Sequence, residues 1–143
     1  MTTHADCIFC KIIHGEIPTA KVYENEDILA FLDISQVTEG HTLVIPKEHQ
    51  KDIYELSPEV ASKLFRHVPD IANAIKKQYN PEGMNLLNNN EEIAGQSVFH
   101  YHVHLIPRYG QDDGYGAVWR THQDQYSNED LKKIADGIRS HLE

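Results

Sequence analysis

The sequence is short of basic residues and of long apolar runs. It has 13 lysine and arginine residues against 22 aspartate and glutamate residues, so its formal net charge is −9 with the ten histidines counted as neutral. Such an acidic chain suits neither nucleic acid nor an anionic membrane, although a mononucleotide needs only local positive groups. No apolar run approaches the roughly 20 residues of a membrane span, and residues 1–6 lack the basic and apolar regions of a signal peptide. We therefore expect a cytoplasmic protein that binds neither nucleic acid nor membrane.

Cysteine is also scarce, with only Cys7 and Cys10, spaced C-x-x-C. In a reducing compartment such a pair is half of a metal site, a redox pair or two free thiols. No thioredoxin-like strand–helix–strand pattern surrounds the pair, which argues against the redox role. Two cysteines alone cannot complete a tetrahedral zinc site, so a metal would need two further ligands from elsewhere in the chain.

Hydrophobic periodicity predicts one α+β domain over residues 1–143, with an antiparallel sheet, one long helix, a short N-terminal helix and a C-terminal helix. The predicted strands are 20–23, 28–32, 42–45, 84–88 and 98–106. The predicted helices begin near residue 8, at 57–58 with an N-cap and a proline, and near 127–130 with a capping box. Pro69 lies inside the long-helix pattern and should kink or strain it. The acidic, glycine-rich stretch 110–116 is expected to be a mobile loop.

The predicted strand 98–106 contains a row of three histidines, His100, His102 and His104. Because side chains alternate along a strand, these imidazoles share one face. The other face is apolar and belongs to the core, with Phe99, Tyr101, Val103 and Leu105. Residues i and i+2 lie about 6.6 Å apart along a strand, so an adjacent pair could bind one zinc ion, whereas the third histidine fits the same ion poorly.

The second chemistry open to this row is nucleophilic attack on phosphorus. A middle imidazole has a neighbour on each side that can hold its tautomer and bind phosphate oxygens. Ser97 precedes the row, and its hydroxyl could donate to a leaving-group or phosphate oxygen. Strict alternation places Ser97 on the core face, so it can serve only if the chain is still in its turn at that point.

Residues 96–106 resemble the signature of the histidine triad (HIT) family, in which histidines alternate with apolar residues. The likeness extends to residues 7–13, 30–34 and 40–49, and the branch it resembles is that of bacterial zinc-containing HIT proteins of the nucleoside-phosphoramidase type. The resemblance implies a HIT-like fold over the single domain, a homodimer, and a purine nucleotide such as AMP bound over the sheet. It also implies that C-terminal residues, here Trp119 and Arg120, lie near the partner's nucleotide.

The resemblance further implies the catalytic roles. His102 would be the nucleophile that forms a nucleoside-phosphoryl-histidine, and His104 would contact the phosphate. Ser97 would lie near the leaving group, and His41 would be an additional active-site histidine. Since the nucleotidyltransferase branch has glutamine at the third position of the triad, His104 favours hydrolysis.

Nucleotide-binding residues also follow from the resemblance. Asp33 would hold the ribose hydroxyls, Gln96 would lie near the phosphate, and Asn89 near the phosphate or ribose. The apolar walls of the base pocket would be Ile8, Phe9, Ile12, Phe31, Ile34 and Leu43. Without the resemblance, these apolar residues would be interpreted as ordinary core.

The cysteine pair resembles that of zinc-containing members, whose remaining ligands match His49 and His100. The implied cofactor is a structural zinc ion held by Cys7, Cys10, His49 and His100. Such a site ties the N-terminal helix to the sheet, and it would prevent His100 from carrying protons.

The leading hypothesis is therefore a hydrolase that cleaves at the α-phosphate of a purine nucleoside phosphoramidate through a phosphoryl-histidine intermediate. Two alternatives stay open at this point. One is a dinucleoside polyphosphate hydrolase, and the other is a nucleotide- or zinc-binding regulatory protein with little catalysis.

Overall fold

A computed structural model describes residues 4 and 6–142. Its five strands form one sheet in the order β1-β2-β3-β5-β4, and every pair of neighbours is antiparallel. The strands are β1 (Lys21–Glu24), β2 (Ile28–Leu32), β3 (Thr42–Pro46), β4 (Gly83–Leu87) and β5 (Val103–Arg108). The predicted α+β fold with an antiparallel sheet is confirmed.

The described residues also form four α-helices. They are α1 (Ile8–Ile13), α2 (Pro58–Phe65), α3 (Val68–Tyr79) and α4 (Asn128–Arg139). The Ser57 side chain caps α2 by accepting from the backbone N–H of Val60, and Ser127 forms the predicted capping box with Asp130 at α4. Within the described residues, no helix is both long and apolar enough to cross a membrane.

The expected long helix is two helices, α2 and α3, which are separated by Arg66 and His67. Pro69 stands at the start of α3. Because proline has no N–H and its ring clashes with the preceding turn, it is accommodated in the first turn of a helix but not in the interior. The proline thus divides the periodic segment rather than kinking it.

The sheet has a helical layer on each face. On one face, alternate residues of β2 and β3 such as Ile28 and Val44 pack with Leu64 of α2 and Ile71 of α3. On the other face a second buried cluster packs against α1 and contains Phe9, Ile12, Leu29, Phe31, Leu43 and Ile45. Leu105 of β5 lies in the α2–α3 layer, so the next side chain along the strand, His104, points to the α1 face.

Strand β5 begins at Val103, so the prediction of a strand from residue 98 was wrong. Pairing with β3 stops at Val103, and the N–H of Tyr101 donates instead to the backbone oxygen of Gln50 at 2.7 Å. Phe99 is 43% exposed, whereas alternation had placed it in the core. Tyr101, Val103 and Leu105 are buried as expected.

Pro107 was expected to end this strand, but it lies inside β5 opposite Met84. Pairing with β3 has already ended at Leu105, so a residue without an N–H costs no hydrogen bond to β3 at this position. Its carbonyl accepts a hydrogen bond from the Thr38 hydroxyl at 2.6 Å.

The loop 110–116, expected to be mobile, is held by one ion pair. The guanidinium of Arg108 donates to both carboxylate oxygens of Asp113, at 2.9 to 3.1 Å, and to the backbone oxygen of Tyr115. Hydrogen bonding from Arg108 lowers the pKa of Asp113 well below its usual range. Gly114 has φ of +105°, and a Cβ there would lie 2.8 Å from the Val37 oxygen, so the loop packs closely on that segment.

Candidate functional site

The three histidines of the row all lie on the α1 side of the sheet, as alternation predicted, since Tyr101, Val103 and Leu105 pack in the opposite layer. The rings of His102 and His104 are neighbours, with centroids 5.0 Å apart. His100 is fully buried and turns toward His49, whose ring lies 4.9 Å away at a right angle. His100 lies before β5 begins, and its Nδ1 faces Cys7 and Cys10, so the row serves two separate sites on that one side.

His102 lies just before β5 and is 5% exposed. Its Nδ1 is 2.7 Å from the backbone oxygen of His100. A carbonyl oxygen can only accept, so Nδ1 carries the proton and Nε2 carries the lone pair. Burial lowers the pKa of His102, and the hydrogen bond to His100 opposes that shift. The ring edge also meets Phe9 of α1, with centroids 5.1 Å apart.

A chain of hydrogen bonds also assigns the tautomers of His41 and His104. The N–H of Val37 donates to His41 Nδ1 at 3.2 Å, and His41 Nε2 lies 2.9 Å from His104 Nδ1. With Nδ1 accepting, His41 donates through Nε2, which leaves His104 with its proton on Nε2. The free N–H of His104 is therefore a hydrogen-bond donor beside His102.

Burial disfavours the protonated form of both of these imidazoles. It lowers the pKa of His104 to about 4, with smaller contributions from His102 and His41. It also lowers the pKa of His41, against the attraction of Asp33, whose Oδ2 lies 3.6 Å from His41 Nε2. Asp33, His41 and His104 are close enough to consider as a metal site. Their 2.9 Å N···N contact has the length of a hydrogen bond, whereas two imidazole ligands of one tetrahedral zinc would be about 3.4 Å apart.

The four predicted metal ligands, Cys7, Cys10, His49 and His100, converge from three parts of the chain. The Sγ–Nδ1 distances are 3.4 Å for Cys7 and His100, 3.4 Å for Cys10 and His49, and 3.6 Å for Cys10 and His100. With Zn–S of about 2.3 Å and Zn–N of about 2.1 Å, a tetrahedral site has S···N edges of about 3.6 Å. The donor set and its spacing fit a zinc ion.

The protonation of this cluster also suits a metal. His100 Nε2 donates to the Pro46 oxygen at 2.7 Å, so the Nδ1 lone pair faces the thiols. Burial lowers the pKa of His100 to about 4 and raises the pKa of Cys10 to about 11. Burial thus favours the neutral forms of His100 and Cys10, and a dipositive ion would provide the charge that favours thiolates.

The residues predicted to bind the base and the ribose fall into three groups. Phe9, Ile12, Phe31 and Leu43 belong to the buried cluster under α1. Ile8 and Ile34 are exposed, Ile34 at 96%, and Asp33 adjoins His41. These positions border the α1 face that carries His102 and His104.

The polar residues predicted near the phosphate differ in their surroundings. Ser97 is exposed and lies in irregular chain, as its proposed role requires. The Asn89 amide lies 3.5 Å from the Gly95 oxygen. Gln96 is buried, and its amide accepts from the Glu91 N–H and donates to the backbone oxygens of Lys51 and Val98. In this arrangement Gln96 fixes the loop, and its predicted phosphate contact stays a prediction.

Sequence reasoning missed several residues that hold the site. The Asn88 amide donates to the His102 oxygen at 3.0 Å, and Asn90 donates to Asn88 and accepts from the Ile53 N–H. Gln36 donates to the backbone oxygens of Asp33 and His41. The run of three asparagines, 88–90, was the available signal, since asparagine side chains commonly bond to backbone groups.

A cavity of about 590 Å³ adjoins the metal cluster and the loop that precedes the histidine row. It is lined by Cys7 and His49 of the metal cluster and by Ser97 and Phe99 of the loop before the triad. The metal cluster therefore borders a solvent-accessible space.

Comparisons with known proteins agree with this geometry. Residues 14–111 match the HIT domain family. The "Protein hit" of Bacillus subtilis is 62% identical over 96% of this chain and 94% of its own length. An adenosine 5'-monophosphoramidase of Schizosaccharomyces pombe is 41% identical over 95% of this chain and 98% of its own.

Solved structures give the same result. A HIT family protein from Bacillus anthracis superposes with a TM-score of 0.95 at 62% identity, covering 99% of this chain and 100% of the other. A zinc-bound histidine triad family protein from Mycobacterium smegmatis has a TM-score of 0.72 at 32% identity, covering 92% of this chain and 97% of the other.

Proposed function

This chain belongs to the histidine triad (HIT) family, and we propose that it is a hydrolase that cleaves purine nucleoside phosphoramidates at the α-phosphate. The observation that carries the proposal is the pair of imidazole atoms on the α1 face. His102 offers an Nε2 lone pair, and the neighbouring His104 offers an Nε2 proton. A nucleophile beside a hydrogen-bond donor is the arrangement that phosphoryl transfer requires.

In the first step, His102 Nε2 attacks the α-phosphorus, and an Nε2–P bond replaces the bond from phosphorus to the leaving amine. The amine departs with a proton from solvent, assisted by the exposed Ser97 hydroxyl. His104 donates to a phosphate oxygen and stabilises its charge. Water then attacks phosphorus, breaks the Nε2–P bond and releases a nucleoside monophosphate, which returns His102 to its starting state.

We propose that the nucleotide lies along the α1 face. The carboxylate of Asp33 would accept hydrogen bonds from the ribose hydroxyls, and the base would lie against the apolar positions of the buried cluster and the exposed Ile34. The Schizosaccharomyces pombe monophosphoramidase supports adenosine as the nucleoside.

Cys7, Cys10, His49 and His100 would hold a structural zinc ion. All four positions of a tetrahedral site are protein ligands, so the ion has no open position for substrate and supplies cross-linking rather than Lewis-acid chemistry. The zinc-bound protein from Mycobacterium smegmatis supports this metal.

We also propose a homodimer. Helix α4 has an exposed apolar side formed by Leu131, Ile134 and Ile138, and isolated helices of this length are marginal in water. β4 is an end strand of the sheet, and its Leu86 is exposed. A second copy would cover such surfaces, and the exposed Trp119 would then be available to the partner's site.

The experiment that tests the activity compares two substrates. Adenosine 5'-phosphoramidate and diadenosine tetraphosphate are each incubated with the protein, and the products are separated by chromatography. AMP release from the phosphoramidate at the higher kcat/KM supports the proposal. Preference for the dinucleotide would favour the dinucleoside polyphosphate hydrolase, and tight AMP binding without turnover of either would favour a regulatory protein.

A further inference from the structure

His100 is a member of both clusters, through different atoms. Its side-chain Nδ1 faces Cys7 and Cys10 at 3.4 and 3.6 Å. Its backbone oxygen accepts the 2.7 Å hydrogen bond from Nδ1 of His102. The side chain of His100 thus belongs to the metal ligand set, and its carbonyl fixes the tautomer of the nucleophile His102.

The orientation of the His100 ring depends on both of its nitrogens. Nε2 is anchored to the Pro46 oxygen at 2.7 Å. On the other side of the ring, the contacts are two thiols at the long distances of a weak sulfur hydrogen bond. A metal ion would replace these weak contacts with a bond of about 2.1 Å to Nδ1, which would fix the ring and with it the backbone of residue 100.

Movement of this backbone would reach His102 directly. Residues 98–102 have no strand pairing to hold them, because β5 begins at Val103. In that segment the backbone is supported by the Gln96 amide to Val98, the Tyr101 N–H to Gln50 and the Asn88 amide to His102. The position of residue 100 between them depends also on how its own side chain is anchored.

We propose that His100 is a positioning residue, through which metal binding at Cys7, Cys10, His49 and His100 orients the nucleophile His102. The metal site then controls the orientation of the His102 ring, and therefore the direction of its Nε2 lone pair, in addition to tying α1 to the sheet. The link between metal and His102 orientation stands independently of the reaction, whereas its effect on turnover rests on the hydrolase proposed above.

Two of the predicted ligands, Cys7 and His49, line the cavity of about 590 Å³. We therefore expect a small chelator such as dipicolinate to reach the metal. Removal and reloading of the metal therefore provide a reversible test on the full, unmutated chain.

The experiment compares zinc-loaded and dipicolinate-stripped protein by ¹⁵N NMR of the histidine rings, with circular dichroism as the check on folding. We expect His102 to show one protonated Nδ1 in the loaded protein and a mixture of tautomers in the stripped protein. Hydrolysis of adenosine 5'-phosphoramidate should fall by about 10- to 100-fold through kcat, as when an outer-sphere partner is lost, and should return on adding zinc. The ligand variant His49→Asn should behave like stripped protein, and His14→Asn, at an exposed histidine outside both clusters, like the loaded one.

A purely structural metal would lower the melting temperature while leaving the His102 ring signals and kcat unchanged, and this result would overturn the proposal. If stripped protein unfolds, zinc is exchanged for the larger cadmium ion in folded protein, and His102 signals identical in the two forms would overturn it equally. If the loaded protein hydrolyses nothing but the His102 signals respond to metal, the hydrolase proposal fails and the positioning role of His100 stands.

Discussion

Nε2 of His41 lies 2.9 Å from Nδ1 of His104, although 63 residues separate them in sequence. The bond exists because β3 and β5 are neighbours, with Leu43 opposite His104. Through it, the N–H of Val37 determines which nitrogen of His104 carries the proton. The sheet therefore sets the direction of the hydrogen bond that His104 offers to a ligand.

The partly buried His104 should make folding pH-dependent. Its pKa in the folded protein is lowered to about 4, whereas an unfolded histidine has a pKa near 6.5. Between these two pH values the unfolded state binds a proton at this residue and the folded state does not. The contribution of His104 to the free energy of unfolding is therefore complete above about pH 6.5 and is lost as the pH falls through about 4. One such proton gives a slope of up to about 1.4 kcal/mol per pH unit.

Urea unfolding at several pH values between 7.5 and 4.5 measures this slope. His104→Gln removes the group and should give a shallower decline in the free energy of unfolding, whereas His14→Gln, at an exposed histidine, should follow the unsubstituted protein. Parallel curves for His104→Gln and the unsubstituted protein would show that His104 does not contribute.

Replacement of the nucleophile should abolish turnover and leave binding intact. His102→Asn keeps a polar group of similar size but has no ring nitrogen to form a bond to phosphorus, so we expect kcat to fall by at least about 10³-fold. Titration calorimetry should show AMP affinity within a few-fold of the unsubstituted protein, and circular dichroism should show a normal fold. Unchanged turnover would exclude His102 as the nucleophile.

Metal content gives a separate prediction. Protein purified without chelator should contain about one zinc per chain, and its removal should lower the melting temperature by about 10 °C or more, because binding energy at a structural zinc site is folding energy. His4→Asn is the matched control, since His4 stacks on His49 at 3.8 Å but is outside the four-ligand cluster. Less than about a tenth of an equivalent of zinc, together with two titratable thiols, would contradict the prediction.

The sequence was sufficient for the parts of the fold that depend on local periodicity. Short apolar runs identified β2 and β3, and the caps at Ser57 and Ser127 marked where α2 and α4 begin. It failed at residues 98–102, which have the pattern of a strand. The N–H of Tyr101 bonds to the distant loop at Gln50 instead of to a neighbouring strand, and no local pattern contains that information.

The residues of the candidate site likewise divide into those that the sequence predicted and those that only the structure revealed. The family signature placed His102, His104 and the four metal ligands at positions that the fold brings together. It did not disclose Asn88 or the Val37 amide, which hold the histidines in place through long-range or backbone contacts. Gln96 illustrates the limit, since residue type alone could not show that its amide is used within the loop.

Helix α4 should pack on a second copy of the chain. Leu131, Ile134 and Ile138 recur along one side of the helix, and all three are exposed. At about 25 cal/mol per Å² of apolar area removed from water, covering such a stripe stabilises association by several kcal/mol. Ile134→Asp would place a charge in the middle of that interface at a cost of several kcal/mol, which corresponds to a loss of dimer affinity of about 100-fold or more.

Light scattering coupled to size-exclusion chromatography over a range of concentrations would measure this change. The unsubstituted protein should elute as a dimer, and Ile134→Asp should shift to monomer as it is diluted. Lys133→Ala on the opposite, polar side of α4 is the matched control, because Lys133 is exposed and lies about 160° around the helix from Leu131. A monomeric unsubstituted protein would contradict the homodimer. A dimer that survives Ile134→Asp unchanged would instead assign the interface to another surface, with the end strand β4 as the next one to test.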